Sequence, residues 1–249
     1  MTAKLKRPAT QNGLFLWVMH RFAEEFEEHA IIKGGMALRL LDSPRNTMDI
    51  DYLFVPFSSK NEIADQVERV LNEIEDAVIT VHLNSKVLCA ELRVDGVAIQ
   101  VEANVAAECA SVPMATGGFA RSEGHPSQIV RVMDFAHALA HKISAWNERR
   151  LLRDLYDCYF LVSHAGALPD LDILDHRLKK FQSRLPHLRK RGSMSRPYLV
   201  EELQKAVIDL SDQDLESELV GLLPPEELAG LAIRIRTAVS RITACLLPE

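Results

Sequence analysis

Residues 31–53 read IIKGGMALRLLDSPRNTMDIDYL, and the rest of the chain is organised around them. Two isoleucines lead into Lys33-Gly34-Gly35, a Leu-rich run follows, and Asp42-Ser43-Pro44 breaks it. The stretch then closes on Arg45-x-Thr47-x-Asp49-Ile50-Asp51. That order spells strand, glycine turn, short helix, loop, strand. Strand side chains alternate, so Asp49 and Asp51 share one face. Two carboxylates on one face repel and raise each other's pKa unless a cation stands between them. A divalent metal answers that need, and hard oxygen ligands suit Mg2+, with Mn2+ as the second choice. The glycine pair precedes a helix start, where free amides and the positive helix end favour a phosphate. Each part alone is commonplace. In this order they form the constellation of phosphoryl or nucleotidyl transfer.

The stretch resembles the nucleotidyltransferase motif of the DNA polymerase β superfamily, a glycine pair followed by Asp-h-Asp after a short helix. More narrowly it is similar to the AbiEii-type toxin family of type IV toxin–antitoxin systems. Lys33, Gly34, Gly35, Ala37, Leu38, Arg45, Thr47, Asp49 and Asp51 fill that family's Lys-Gly-Gly-x-Ala-Leu opening and Arg-x-Ser/Thr-x-Asp-Ile-Asp close. The resemblance implies a Mg2+-dependent transferase using a nucleoside triphosphate (NTP), acting as the toxin of a bacterial toxin–antitoxin or phage-defence pair. It implies an RNA acceptor, with the tRNA 3′ end as one candidate, and a cognate antitoxin. Superfamily members also bring a third carboxylate from a neighbouring strand. Glu102 is the candidate, although family members more often carry Asp there, and Glu91 is the alternative.

The 249-residue chain is 47% hydrophobic and 26% charged, enough for one large domain or two modest ones. No apolar run approaches the roughly 18 residues that span a bilayer. The basic opening, MTAKLKRPATQNG, is not followed by a signal-peptide apolar core. The expectation is a soluble cytoplasmic protein with no membrane contact. Cys89, Cys109, Cys158 and Cys245 are scattered without a C-x-x-C pair, as expected of reduced thiols.

Residues 13–30 carry Leu14, Trp17, Val18, Phe22 and Phe26 at helical spacing, which predicts an amphipathic helix packed on a sheet. His20 and His29 read as surface residues on it. Residues 59–75 read as a second helix, with Ser59 and Glu62 at capping-box spacing. Residues 77–83 read as a strand. Asp95-Gly96 between two alternating runs, 87–94 and 97–105, is the signature of a tight hairpin. Small residues, prolines and glycines make residues 106–128 a loop or linker. From Ile129 the β signal fades and helical patterning runs to the end.

The expected fold class is therefore α+β. A nucleotidyltransferase fold, a mixed β-sheet flanked by helices, occupies residues 1–118. An all-α C-terminal domain occupies residues 119–249.

In that second half, residues 132–146 and 147–161 read as two helices joined by a charged turn, and residues 170–185 as another. His137 and His141 lie four apart, but no H-E-x-x-H pattern supports a metal site. Lys142-Ile143-Ser144-Ala145 and Arg153-Asp154-Leu155-Tyr156-Asp157 match the family's Lys-x-x-Ala and Arg-Asp-x-x-Asp motifs. The resemblance makes Lys142 a mobile cation for the triphosphate and Asp154 its orienting partner or a base. With Asp49, Asp51 and Glu102, these form the expected catalytic set. Lys33, Gly34, Gly35, Arg45, Thr47, Lys142 and Asp157 are the expected nucleotide contacts, and Asp49, Asp51 and Glu102 the expected metal ligands.

The chain carries a net charge of −6, yet one segment holds Arg177, Lys179, Lys180, Arg184, Arg189, Lys190, Arg191 and Arg196 with no acid. A basic segment on an acidic protein predicts a phosphate-rich partner such as RNA or tRNA. Two other readings stand beside the leading one. The first is a spent transferase that only binds nucleotide or acts as an interaction protein, as the Glu102 departure suggests. The second is transfer to a protein or a small molecule.

Overall fold

The computed structural model describes residues 7–85 and 87–247, so the first six residues of the basic opening lie outside the described residues. The chain folds as two compact units. One runs to Asp42 and resumes over Thr47–Met133; the other comprises Ser43–Asn46 and the chain from Asp134 onward.

The first unit opens with helix α1 (Gln11–Phe26), followed by a 3-10 turn over Glu27–His29. The Thr10 side chain caps α1 by accepting from the Gly13 amide. Strand β1 (Ala30–Lys33), helix α2 (Gly34–Leu40) and strand β2 (Asp49–Phe54) come next, the order predicted from residues 31–53. Helix α3 (Asn61–Leu71) follows, and the Glu62 carboxylate accepts from the Ser58 and Ser59 amides. Strand β3 (Val78–Leu83) leads to the hairpin β4 (Leu88–Val94) and β5 (Val97–Val105). Val94 faces Val97 across Asp95 and Gly96, both at positive φ, the two-residue turn the sequence predicted.

Strand β6 (Ser111–Ala115), helix α4 (Gly117–Ser122) and strand β7 (Ile129–Met133) complete the unit. These three correct the reading of residues 106–128 as loop and of Ile129 as the start of helical chain. Both strands are only five residues long. Pro113 sits in β6, where an edge position tolerates its missing N–H. The seven strands form one mixed sheet in the order β3-β4-β5-β2-β1-β7-β6.

On β2 the alternation is strict. Ile50, Tyr52 and Phe54 are buried, whereas Asp49, Asp51 and Leu53 face a half-open side. Phe22 and Phe26 of α1 pack on the buried side, with Phe22 4.9 Å from Tyr52 and Phe26 4.8 Å from Phe54 between ring centroids. The other side is thereby left to the carboxylates.

The second unit is helical, as expected. It contains α5 (Phe135–Arg149), α6 (Leu152–His164), α7 (Leu171–Lys179), α8 (Arg196–Ile208), α9 (Asp212–Leu219), α10 (Pro225–Leu228) and α11 (Leu231–Leu246). The caps are side chains the sequence supplies: Asp134 for α5, Asp170 for α7, Ser195 for α8 and a Ser211–Asp214 capping box for α9. Arg150, in the left-handed region, ends α5. Helix α7 stops at Lys179, six residues before the predicted end, and a turn region replaces its last part. Among the described residues, no helix is long and apolar enough to cross a membrane.

Neither His20 nor His29 is the surface residue the sequence suggested. His29 is half-buried with Nδ1 2.7 Å from the Val55 carbonyl. His20 is fully buried, its Nε2 2.9 Å from Thr116 Oγ1 and its Nδ1 without a partner. Burial, reinforced by nearby His125 and opposed by Glu24, pulls the His20 pKa down to about 4. A folded-state pKa below the unfolded value gives stability that is present above about pH 6.5 and lost as pH falls toward 4. Wild type should therefore lose roughly 3 kcal/mol more than His20→Gln between pH 7 and pH 4 in urea titrations. Parallel pH profiles for the two proteins would refute the assignment.

Candidate active site: carboxylates beside a glycine turn

Strand β1 ends at Lys33, and Gly34 turns the chain at φ +70°, a conformation that favours glycine. A second constraint acts at the same residue. A Cβ on Gly34 would run into the Asp51 carboxylate, so the carboxylate lies against bare backbone. The bend and the acid, seventeen residues apart in sequence, therefore share one place. Lys33 stands directly opposite Asp51 in the antiparallel register, and its Nζ donates to Asp51 Oδ1 at 3.1 Å. Both side chains are about a quarter exposed or less.

Asp49 is held by Thr47, whose Oγ1 donates to Asp49 Oδ1 at 2.5 Å. Strand β5 runs parallel to β2, placing Gln100 beside Asp49 and Glu102 beside Asp51 on the same face. Gln100 Nε2 donates to Glu102 Oε1 at 2.8 Å and also lies 3.1 Å from Cys89 Sγ. Burial first, then the charges of Asp51 and Asp49, push the Glu102 carboxyl above its usual range, and Lys33 pulls it back. The Cys89 thiol is raised by burial and by Glu102. Glu91, the alternative third carboxylate, lies one strand further out on β4, half exposed and 3.4 Å from Arg93.

Each carboxylate thus has a donor from this chain: Thr47 for Asp49, Lys33 for Asp51 and Gln100 for Glu102. Among the described residues, no group of three or more His, Cys, Asp or Glu stands ready-made to enclose a metal ion. The donor chemistry nevertheless fits a hard divalent cation: three carboxylates on one face, with Glu102 disfavoured in its charged form by burial first and then by its two neighbours. Gln100 and Cys89 were missed in the sequence, although Gln100 is signalled by its place two residues before Glu102.

The remaining expected residues lie in the second unit. Asp157, 1% exposed, is the hub. Arg45 grips it through two bonds, Nε to Oδ1 at 2.7 Å and Nη2 to Oδ2 at 3.2 Å. Lys142 Nζ lies 2.5 Å from Asp157 Oδ2. The carboxylate that orients Lys142 is therefore Asp157. Asp154, expected to be that partner, is buried and held instead by Arg149, at 2.6 and 3.2 Å. Arg45, expected as a phosphate contact, is itself buried and engaged with Asp157. The Asn46 amide donates to the Leu222 carbonyl at 2.8 Å, pinning this loop. Burial, with the neighbouring Asp154 and Asp157, drives the Cys158 thiol up. His137 Nε2 lies 3.2 Å from Asp170 Oδ2.

Two substitutions test this geometry. Gly34→Ala should cost roughly 2 kcal/mol in urea unfolding, because strained backbone and the Asp51 contact act together; a cost below about 0.5 kcal/mol would contradict the close approach. Arg45→Met should cost about 3 kcal/mol by uncovering a buried carboxylate. A double-mutant cycle with Asp157→Leu should then show coupling above about 1 kcal/mol. Additive losses would mean that the pair is not coupled.

The family described as nucleotidyl transferase AbiEii toxin, type IV toxin–antitoxin system, matches residues 17–240. Comparison with curated protein sequences gave no match. Among solved structures, the fold is similar to MenT4, a nucleotidyltransferase toxin of Mycobacterium tuberculosis, with a TM-score of 0.61 at 16% identity over 94% of this chain and 87% of that one. It is also similar to JHP933 of Helicobacter pylori, with a TM-score of 0.53 at 14% identity over 95% and 91% of the two chains. The sequence match runs through both the glycine–aspartate stretch and the helical half, and the sheet carries the acids and the glycine bend on one side; the chain belongs to the AbiEii nucleotidyltransferase toxin family of type IV toxin–antitoxin systems and is a nucleotidyltransferase.

Proposed function

We propose that the enzyme moves a nucleoside monophosphate from an NTP to RNA, with tRNA as the leading acceptor, in a Mg2+-dependent reaction in the cytoplasm, and that a cognate antitoxin counters it. The observation that carries this reading is the alignment of Asp49, Asp51 and Glu102 on one sheet face against the Gly34 bend. Mg2+, or Mn2+ in its place, would be held by these three carboxylates and would supply neutralisation of the triphosphate and a lowered pKa for the attacking hydroxyl. Asp51 would release Lys33 and Glu102 would release Gln100 in doing so.

An acceptor hydroxyl attacks the α-phosphorus. A new P–O bond forms, the bond to the β-phosphate breaks, and pyrophosphate leaves with the electron pair. The hydroxyl proton passes to a carboxylate of the acidic face. Lys33, released from Asp51, is the phosphate cation of this unit, and the backbone amides of the glycine pair that opens α2 are the proposed second phosphate contact. Thr47 keeps Asp49 turned to the open face. In the second unit Lys142 is the proposed phosphate contact, its ammonium held by Asp157, whose carboxylate Arg45 clamps. Asp154 is assigned to positioning. We assign catalysis to the unit that runs to Met133, which moves the boundary from the expected 118/119 to the far side of β7, and the RNA contact to the basic segment of the helical unit.

The test is incubation of the full chain with labelled NTPs, Mg2+ and total RNA. Wild type should label RNA, and Asp49→Ala/Asp51→Ala should lower the rate by at least about 10²-fold, the scale for loss of a transition-state electrostatic partner. Chelation of the metal should abolish labelling. Equal labelling in both proteins would overturn the site, and label on protein with none on RNA would overturn the acceptor.

A further inference from the structure

The eight cations between residues 177 and 196 do not behave alike. Arg177 donates to Glu148 at 3.0 Å and Arg196 grips Asp175 at 2.7 and 2.6 Å, so these two tie helices together. Lys180, Arg189 and Arg191 are exposed, and none makes an ion pair among the described residues. These three line one open cleft of about 540 Å³, together with Gln182 and Gly192. The volume is in the range that accepts a small organic ligand, here about a nucleotide.

The cleft stands on a fixed base. Phe181, which lines it, is buried, as are Leu188 and Met194 of the same segment. The Met194 amide donates to the Leu178 carbonyl at 2.9 Å, and Ser183 Oγ donates to the Glu148 carbonyl at 2.7 Å. The Arg191 guanidinium lies 4.1 Å above the Tyr198 ring, which fixes its plane and leaves its N–H edge for an acceptor. A guanidinium mounted in this way loses little freedom on binding.

We infer that the cleft lined by Lys180, Arg189 and Arg191 holds the sugar–phosphate backbone of the RNA acceptor, an inference that rests on the RNA reading above. An anionic bilayer fits it less well, because the aromatic side chain of the cleft, Phe181, is buried and offers no apolar anchor. Arg and Lys contacts to a backbone give salt-dependent binding without base preference. Gln182 adds an amide that pairs with ribose hydroxyls.

The experiment measures anisotropy of a fluorescein-labelled single-stranded RNA across a salt series, with full-length proteins. Lys180→Gln/Arg189→Gln/Arg191→Gln should bind at least ~10-fold more weakly at low salt, and its log K against log[salt] slope should be shallower by about 2, three contacts at ~0.7 each. A control, Lys179→Gln/Arg184→Gln/Lys190→Gln, removes the same charge from the same segment outside the cleft and should change the slope by less than half as much. Mg2+–ATP affinity should be unchanged in both. Equal losses in the two triple variants, or no loss in the first while wild type still binds and labels RNA, would overturn the cleft and leave the RNA reading standing. Polyglutamate or phosphatidylserine vesicles displacing RNA from wild type at equal charge concentration would also overturn it. Failure of wild type to bind RNA at all would remove both readings together.

Discussion

The period of two along β2 is the constraint from which the site follows. Ile50, Tyr52 and Phe54 are each at most 1% exposed, the last two packed against the aromatic side chains of α1. Burying side chains of that size contributes on the order of 1.5–3 kcal/mol apiece. Crowding Asp51 and Glu102 onto adjacent register positions works against folding, but at a half-open surface the opposing energy is smaller. Hydrocarbon on one side of the strand therefore decides where charge must go on the other. A slip of one residue would drive both aspartates into the packed layer, so the register that builds the core also builds the acidic face.

Carboxylates gathered in this way need companions, and the chain supplies small or movable ones. Thr47 donates a hydroxyl, Lys33 an ammonium and Gln100 an amide. None is a bidentate guanidinium, the grip hardest to release. The second unit follows the opposite rule. Asp157 and Asp154 lie at 1% exposure and are each clamped by an arginine. The sheet face keeps its charges loosely satisfied, and the helical unit locks its own. This contrast separates groups suited to exchanging partners from groups suited to holding a shape.

Much of this was legible in residues 31–53, because a glycine forced to positive φ, a broken helix and alternating acids are all local signals. The hairpin was equally plain, since Asp95-Gly96 dictates its own turn. What escaped had no local signature. His20 lies on the inner side of a helix whose apolar stripe is wide enough to enclose an imidazole, and its partner Thr116 is ninety-six residues away. Strands β6 and β7 are only five residues long, and β6, with Pro113 and one β-branched residue, does not stand out from the loop around it. Asp154 and Asp157 both lie near the start of α6, and only the packed arrangement shows that Lys142 and Arg45 both turn to the second. Pairings of that kind depend on which faces meet, which spacing in the chain does not encode.

The four residues Ser43–Asn46 belong with the helical unit although the chain on either side of them builds the sheet unit. The chain therefore passes between the two units more than once. Cutting after Met133 would separate Arg45 from Asp157 and Asn46 from Leu222, so an isolated amino-terminal fragment would carry an orphaned arginine in its loop. Ancestral shuffling of either half as a cassette would have met the same obstacle, which predisposes the pair to be inherited as a single block.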